Sequence, residues 1–260
     1  MKRQPVLFVS HGAPTLPLEP TAARDFLRTL GRELERPRAV LAVSAHWATV
    51  IPHVTGAYNP STIHDFWGFP HELYAFKYPA PGAPELAQRA VEALEAEGFE
   101  AAIDAERGLD HGAWVPLLIM FPQADVPVVQ LSIQPHLGPR HHLHLGEALA
   151  PLREEGILVL ASGSATHNLY EFGRYALDAA PPAWVAEFSD WLARHVEAGD
   201  TETLLAYRRQ GPQAAHNHPT EEHLLPLFVA LGAGGPGRAG ASELRPRYSR
   251  HGRVPVPLRR

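Results

Sequence analysis

The chain has 260 residues, enough for one large α/β domain or two small ones. Its 45% apolar content can fill an ordinary core, and a net charge of −5 without a long basic run argues against nucleic acid as a partner. There is no cysteine, which excludes disulfides, thiolate zinc sites, iron–sulfur clusters and a cysteine nucleophile; a metal here must be held by nitrogen and oxygen.

In chain order, Met1-Lys2-Arg3-Gln4-Pro5 leads straight into an apolar strand at 6–10, with no signal peptide between. A helix is expected at 21–35, then strands at 40–44 and 51–55. From 51 to 81 the chain turns rich in Pro and aromatics: Tyr58-Asn59-Pro60, Phe66-Trp67-Gly68-Phe69-Pro70, Tyr74, Phe76 and Tyr78-Pro79. A loop this long is usually functional. Its rings suit either the wall of a pocket for a flat ligand or packing onto the core.

A helix at 83–97 follows, with Leu86, Ala90, Val91 and Leu94 on one face and Gly98 to end it. Strands at 99–103, 126–133 and 157–161 alternate with a helix at 139–155. Helices at 182–198, 201–210 and 221–231 come last. Gly232-Ala233-Gly234-Gly235 follows a helix rather than a strand, so it reads as a helix cap and not a dinucleotide loop. The basic, Pro-rich stretch 245–260 reads as a frayed tail or an edge strand. No run approaches the roughly 20 apolar residues of a spanning helix, so the chain reads as soluble and cytoplasmic with no membrane partner.

This alternation predicts an α/β fold: a three-layer αβα arrangement around a mostly parallel or mixed sheet. One catalytic domain is expected over 1–260, with about 232–260 as a C-terminal strand and tail. In such a sheet, ligands gather outside the carboxyl ends of the strands.

The chain carries 16 histidines, and a few have telling positions. His11, His46 and His167 each follow a strand-like run, while His223 is expected to open the last helix. Residues so placed can meet at one sheet edge, and imidazole is the commonest protein metal ligand. That points to a mononuclear metal enzyme. His141, His142 and His144 sit on a predicted helix, where positions two apart do not face each other, so a solvated face is expected. His195, His216 and His251 read as surface residues, His136 lies in a turn, and His53 and His71 have no distinguishing context.

His218 and His223 are one residue too far apart for a zincin pair, and Pro219 should keep His218 outside the helix. His111 stands in Leu109-Asp110-His111-Gly112-Ala113-Trp114, where a flexible glycine follows it and the acidic neighbour raises imidazole basicity, as acid–base work requires. No G-x-S-x-G elbow and no phosphate-binding P-loop is present. On the residues alone, a zinc-dependent hydrolase or a non-catalytic metal protein stays open.

Six ordered blocks narrow this. Ser10-His11-Gly12-Ala13-Pro14, Ser44-Ala45-His46-Trp47, Thr62-Ile63-His64-Asp65-Phe66-Trp67-Gly68-Phe69-Pro70, Leu109 to Leu117, Ser162 to Leu169, and His218-Pro219-Thr220-Glu221-Glu222-His223 together resemble the DOPA-dioxygenase type of the class III extradiol ring-opening dioxygenases. The likeness spans residues 10–223 and is weakest beyond about Leu231.

The resemblance implies that His11, His46 and His223 are metal ligands, with His167 a fourth ligand or an acid–base residue. It places His111 in the substrate pocket, helping to move protons. Trp67 and Phe69 would stack on the ring, and Asp65 would contact a polar substituent. More distant catechol-cleaving relatives use two histidines and a carboxylate; the matching position here is His223, with Glu221 and Glu222 just before it. The implied reaction opens the ring of a DOPA-like or other small catechol with dioxygen at a mononuclear non-haem metal. Fe(II) is expected for activity, and zinc is able to occupy the site. Oligomeric state is left open.

Overall fold

A computed structural model describes residues 2–171, 173–175, 179–235 and 256–258. The elements run β1 Val6–Ser10, α1 Ala22–Glu33, β2 Ala39–Ala48, β3 His53–Thr55, α2 Pro84–Ala96, β4 Ala102–Asp104, α3 His111–Met120 and β5 Val128–Ile133. Then come α4 Gly138–Leu149, β6 Ile157–Gly163, α5 Ala183–Ala198, α6 Thr201–Leu205, α7 Tyr207–Gln210, α8 Ala214–Asn217, α9 Leu225–Gly234 and β7 Val256–Leu258. The strands form a mixed sheet in the order β4-β3-β5-β2-β6-β1-β7. Its centre, β5-β2-β6-β1, is parallel throughout; β3 joins β5 antiparallel, and β7 edges β1 antiparallel.

The central strands are buried along nearly their whole length, which is why they read as unbroken apolar runs. Alternate side chains feed two cores. Val6 and Phe8 point into one with α2, α4, α5 and α9, while Leu7 and Val9 point into the other with α1 and α3. The expected αβα layering is therefore present.

Several boundaries differ from the sequence reading. The helix expected at 139–155 splits into α4 and a 3₁₀ turn at Ala150–Glu155, and that at 201–210 splits into α6 and α7. The last helix begins at Leu225 rather than 221 and ends at Gly235, which has φ 78°. Helix α3 is unanticipated. It is apolar and buried on almost every face, so it lacks the amphipathic period that marks a surface helix. Of the tail at 245–260, β7 is an edge strand as expected; the remainder, with His251, lies outside the described residues. Among the described residues, no helix is long and apolar enough to cross a membrane.

His142 overturns the solvated-face expectation. It is fully buried, its Nδ1–H donates to the Gly138 carbonyl at 2.7 Å, and its Nε2 accepts from the Gln134 N–H at 3.1 Å. Both nitrogens are satisfied in the neutral form, and burial pushes its pKa down to about 4.

Helices α4 and α9 pack unusually close because each offers a glycine to the other. A Cβ on Gly146 would lie 2.1 Å from the Val229 carbonyl oxygen, and one on Gly232 would lie 2.0 Å from that of Leu143. In an unconstrained helix, Gly→Ala gains roughly 1 kcal/mol. Here the sign should reverse: Gly146→Ala is expected to lose about 1–3 kcal/mol through overpacking, read as a lower urea midpoint at unchanged m-value.

Candidate metal centre

Because β1, β2 and β6 are parallel neighbours, their carboxyl ends open on the same side. His11 follows β1 directly and extends its ladder, its N–H bonding to the Gly163 carbonyl. His46 lies near the end of β2, within the stretch between Val43 and Ala48 where the register with β5 shifts. His223 sits in the turn before α9 rather than in the helix. Its carbonyl accepts from the Ser164 N–H at 2.7 Å, and a Cβ on Gly163 would lie 2.2 Å from that same oxygen. Only glycine at the end of β6 allows this docking.

The three imidazoles converge. His11 Nε2 lies 3.1 Å from His46 Nε2, which lies 3.2 Å from His223 Nε2. Three such atoms within 4.8 Å of one another can hold a metal ion. The donor set also fits one: three ring nitrogens this close can share a divalent cation, and nitrogen ligands suit iron, zinc, copper and nickel.

The protonation of His11 is set from outside the cluster. Pro116 lies within α3 and has no N–H, so it leaves the carbonyl four residues back, that of Gly112, without its helical donor. The Ser162 hydroxyl donates to that carbonyl. Its one proton is thereby committed, so at its 3.1 Å contact with His11 Nδ1 the serine oxygen must accept. His11 carries its proton on Nδ1 and turns a bare Nε2 to the cluster. Sequence reasoning missed Ser162, which pairs with Val9 of β1 and Ser44 of β2 one position before the end of β6.

The start of α3 is equally constrained. Asp110 is fully buried and caps the helix by accepting from the Ala113 N–H. It also accepts from the Ser44 hydroxyl at 2.6 Å, from the Gln130 amide and from Arg107 at 3.2 Å. Burial pushes its carboxyl up, and the bonds from Ser44 and Gln130 oppose that. Ser44 in turn accepts the His46 N–H at 3.1 Å, tying the histidine-bearing end of β2 to α3. Gly112 is no flexible link. A Cβ there would meet Ser44 Oγ at 2.4 Å and His46 Cδ2 at 3.1 Å, so glycine is needed for space.

His111, the first residue of α3, is buried with its ring 3.9 Å from that of His46. The carboxylate facing it is Asp65, not its chain neighbour Asp110. Asp65 Oδ1 accepts the His111 backbone N–H at 2.9 Å, and Oδ2 stands 2.9 Å from His111 Nδ1 and 3.7 Å from His46 Nδ1. Burial raises the Asp65 pKa, but contact with His111, then the charge of His46, outweighs it and holds the group at about 2.

His167 is not brought into the trio. It stacks on the face of His223, ring centres 3.4 Å apart and 6° from parallel, and groups with Glu222 and His223 instead. Glu222 reaches the outer nitrogen of His223, Nδ1, at 3.4 Å. Trp67 is 87% exposed, and Phe69 packs edge-on against Phe66. The ring that meets His111 is that of Phe66, at 5.7 Å. His218 is fully buried and bonds through Nε2 to the Ala165 carbonyl, holding the two histidine-bearing loops together.

A family model described as the catalytic LigB subunit of aromatic ring-opening dioxygenase matches residues 5–253. A Beta vulgaris protein named 4,5-DOPA dioxygenase extradiol is 45% identical over 88% of this chain and 86% of its own length. An Escherichia coli K12 protein of the same name is 42% identical over 89% and 85%. The crystal structure of an uncharacterized protein from Escherichia coli K12 matches with a TM-score of 0.75 at 36% identity, covering 90% of this chain and 91% of that one.

Removing the hydroxyl that orients His11 should weaken metal binding without unfolding the sheet. Ser162→Ala is expected to lower divalent-metal affinity by about 10- to 100-fold, measured by competition with a chromophoric chelator. Unchanged affinity would mean that the His11 tautomer is set by another group.

Proposed function

The chain belongs to the LigB family of aromatic ring-opening dioxygenases, and from that premise we propose that it opens a DOPA-like or other small catechol at Fe(II) held by His11, His46 and His223. It is an extradiol dioxygenase, an oxidoreductase, and we read the whole chain as one catalytic domain. The observation that carries the metal assignment is the trio of ring nitrogens facing one another at 3.1 and 3.2 Å.

When bound, the metal supplies a Lewis-acidic, redox-active centre at which a catechol's phenolic pKa falls and dioxygen is activated. The three ligands are neutral, so they leave the ion's charge uncancelled and favour an anionic catecholate beside it. Protons must then leave the diol. His111 is placed to take one: Asp65 faces its Nδ1, which leaves Nε2 to accept. With its pKa held at about 2, Asp65 stays anionic near neutrality and stabilises the imidazolium that results. His167, stacked outside the trio, is the second acid–base candidate. Phe66 presents an aromatic face next to His111, where a flat ring would be bounded.

The role split is testable. His167→Ala and His111→Ala should each keep metal content near wild type while turnover falls about 10²- to 10⁴-fold. His223→Ala should lose the metal itself. Metal loss in His167→Ala would make that residue a ligand.

The reaction is tested by anaerobic reconstitution with Fe(II), then addition of a catechol panel and air in an oxygen electrode. Oxygen uptake and a yellow ring-opened semialdehyde are expected with Fe(II). The zinc form should bind catechol and consume none, since zinc has no redox chemistry. No uptake from fully loaded Fe(II) protein, together with zinc-dependent ester hydrolysis, would overturn the reading.

A further inference from the structure

Between α1 and α3 lies a second concave feature that the dioxygenase chemistry does not use. Arg24, Arg28 and Arg32 recur every four residues along α1, and Arg36 follows just beyond its end. That spacing places them on one helix face. They border a groove of about 640 Å³ between α1 and the C-terminal end of α3, whose apolar part includes Phe76, Leu118, Met120 and Phe121. None of the groove's residues belongs to the histidine cluster.

The groove's charge is not balanced from within. Arg36 pairs with Asp125 at 2.7 Å, and Asp25 is shared between Arg28 at 2.9 Å and Arg24 at 3.8 Å. Arg32 has no acidic partner among the described residues, and the Arg24 Nε is buried with no hydrogen-bond acceptor. Like charges four apart repel, and Asp25 offsets this only at the N-terminal end of the row, beside Arg24 and Arg28. The groove's walls are also fixed. A Cβ on Gly31 would lie 2.2 Å from the Met120 carbonyl oxygen, so the two helices already touch at their closest approach and hold the cleft beside it open.

We propose that this groove is a binding site for a small organic oxyanion. The guanidiniums of Arg28 and Arg32 take the carboxylate or phosphate group, and its apolar body lies on Phe76, Leu118 and Phe121. Guanidinium forks match planar or tetrahedral oxyanions through paired charge-assisted bonds. A pocket of this size with an apolar floor and a few convergent charges is typical of small-molecule sites. Inorganic phosphate alone should bind more weakly, because it leaves the floor uncovered.

The test uses the full metal-loaded chain and the aromatic sulfonate 8-anilinonaphthalene-1-sulfonate as fluorescent probe. One saturable site is expected, displaced by benzoate or phenyl phosphate but not by catechol. Arg28→Gln with Arg32→Gln should weaken probe binding by about tenfold or more, since charged hydrogen bonds are lost. Arg194→Gln, exposed on α5, should change nothing. Arg32→Glu separates binding from folding: it should abolish probe binding while the native circular-dichroism spectrum is kept and the melting temperature falls only slightly, because an acid in the last turn of α1 opposes the helix dipole. No saturable site, binding retained in the double variant, or displacement by catechol would overturn the proposal.

Discussion

A missing N–H organises the catalytic edge of this molecule. Pro116 cannot donate to the Gly112 carbonyl, and the open acceptor takes the only proton Ser162 has. The serine oxygen is then an acceptor for His11 Nδ1, which fixes the tautomer and turns an unprotonated Nε2 to the other imidazoles. A proline within a helix usually costs stability. Here the hydrogen bond it forfeits inside α3 is re-formed across layers, from helix to strand to His11. The arrangement also couples the imidazole's tautomer to secondary structure rather than to a mobile surface group.

Asp110 does the companion work for His46. A buried carboxylate is costly unless its acceptors are filled. This one takes bonds from a helix N-terminus, a serine, a glutamine and an arginine. Those partners come from α3, β2, β5 and the segment before α3, so the same residue that starts the helix also clamps it to the ends of two strands. Gly112 then sets the distance, since any side chain there would press on Ser44 and His46. Gly163 plays the equivalent part beneath His223. Each of the three converging imidazoles is thus held by groups that are themselves buried and committed, which is how a site keeps its geometry before a ligand arrives.

What was legible in the sequence follows from this. Strand ends in a parallel sheet share one edge, so His11 and His46 could be placed from their apolar runs alone, and the αβα layering from the alternation of periods. The constraint on His223 was legible only as proximity to a helix start; the carbonyl contact that docks it depends on a glycine sixty residues earlier. Helix α3 was hidden because burial on nearly every face erases the pattern that betrays a helix. The partner of His111 was misread for a related reason. Asp110 is adjacent in sequence, yet its side chain serves the cap, and the carboxylate at the ring arrives from Asp65 in the long loop. Ser162 and the buried His142 carried no local signal, because their partners are backbone groups fixed only by the fold.

The long aromatic loop also resolves a choice that composition could not. Its rings were read as a pocket wall or as core packing, and most of them pack. Phe66 is buried against His111, Tyr74 and Phe69, while Phe76 lies near-parallel to Trp114, whose indole N–H donates to the Ile63 carbonyl at 2.9 Å. The packing rings therefore anchor the short stretch that carries His64 and Asp65, and His64 adds a bond from Nε2 to the Phe76 carbonyl at 3.0 Å. Trp67, between these anchors, is left outside. Buried packing and exposure thus fall on neighbouring residues of the loop. The anchored pair Asp65 and Phe66 is fixed against the histidines, whereas Trp67 just beyond is left to solvent.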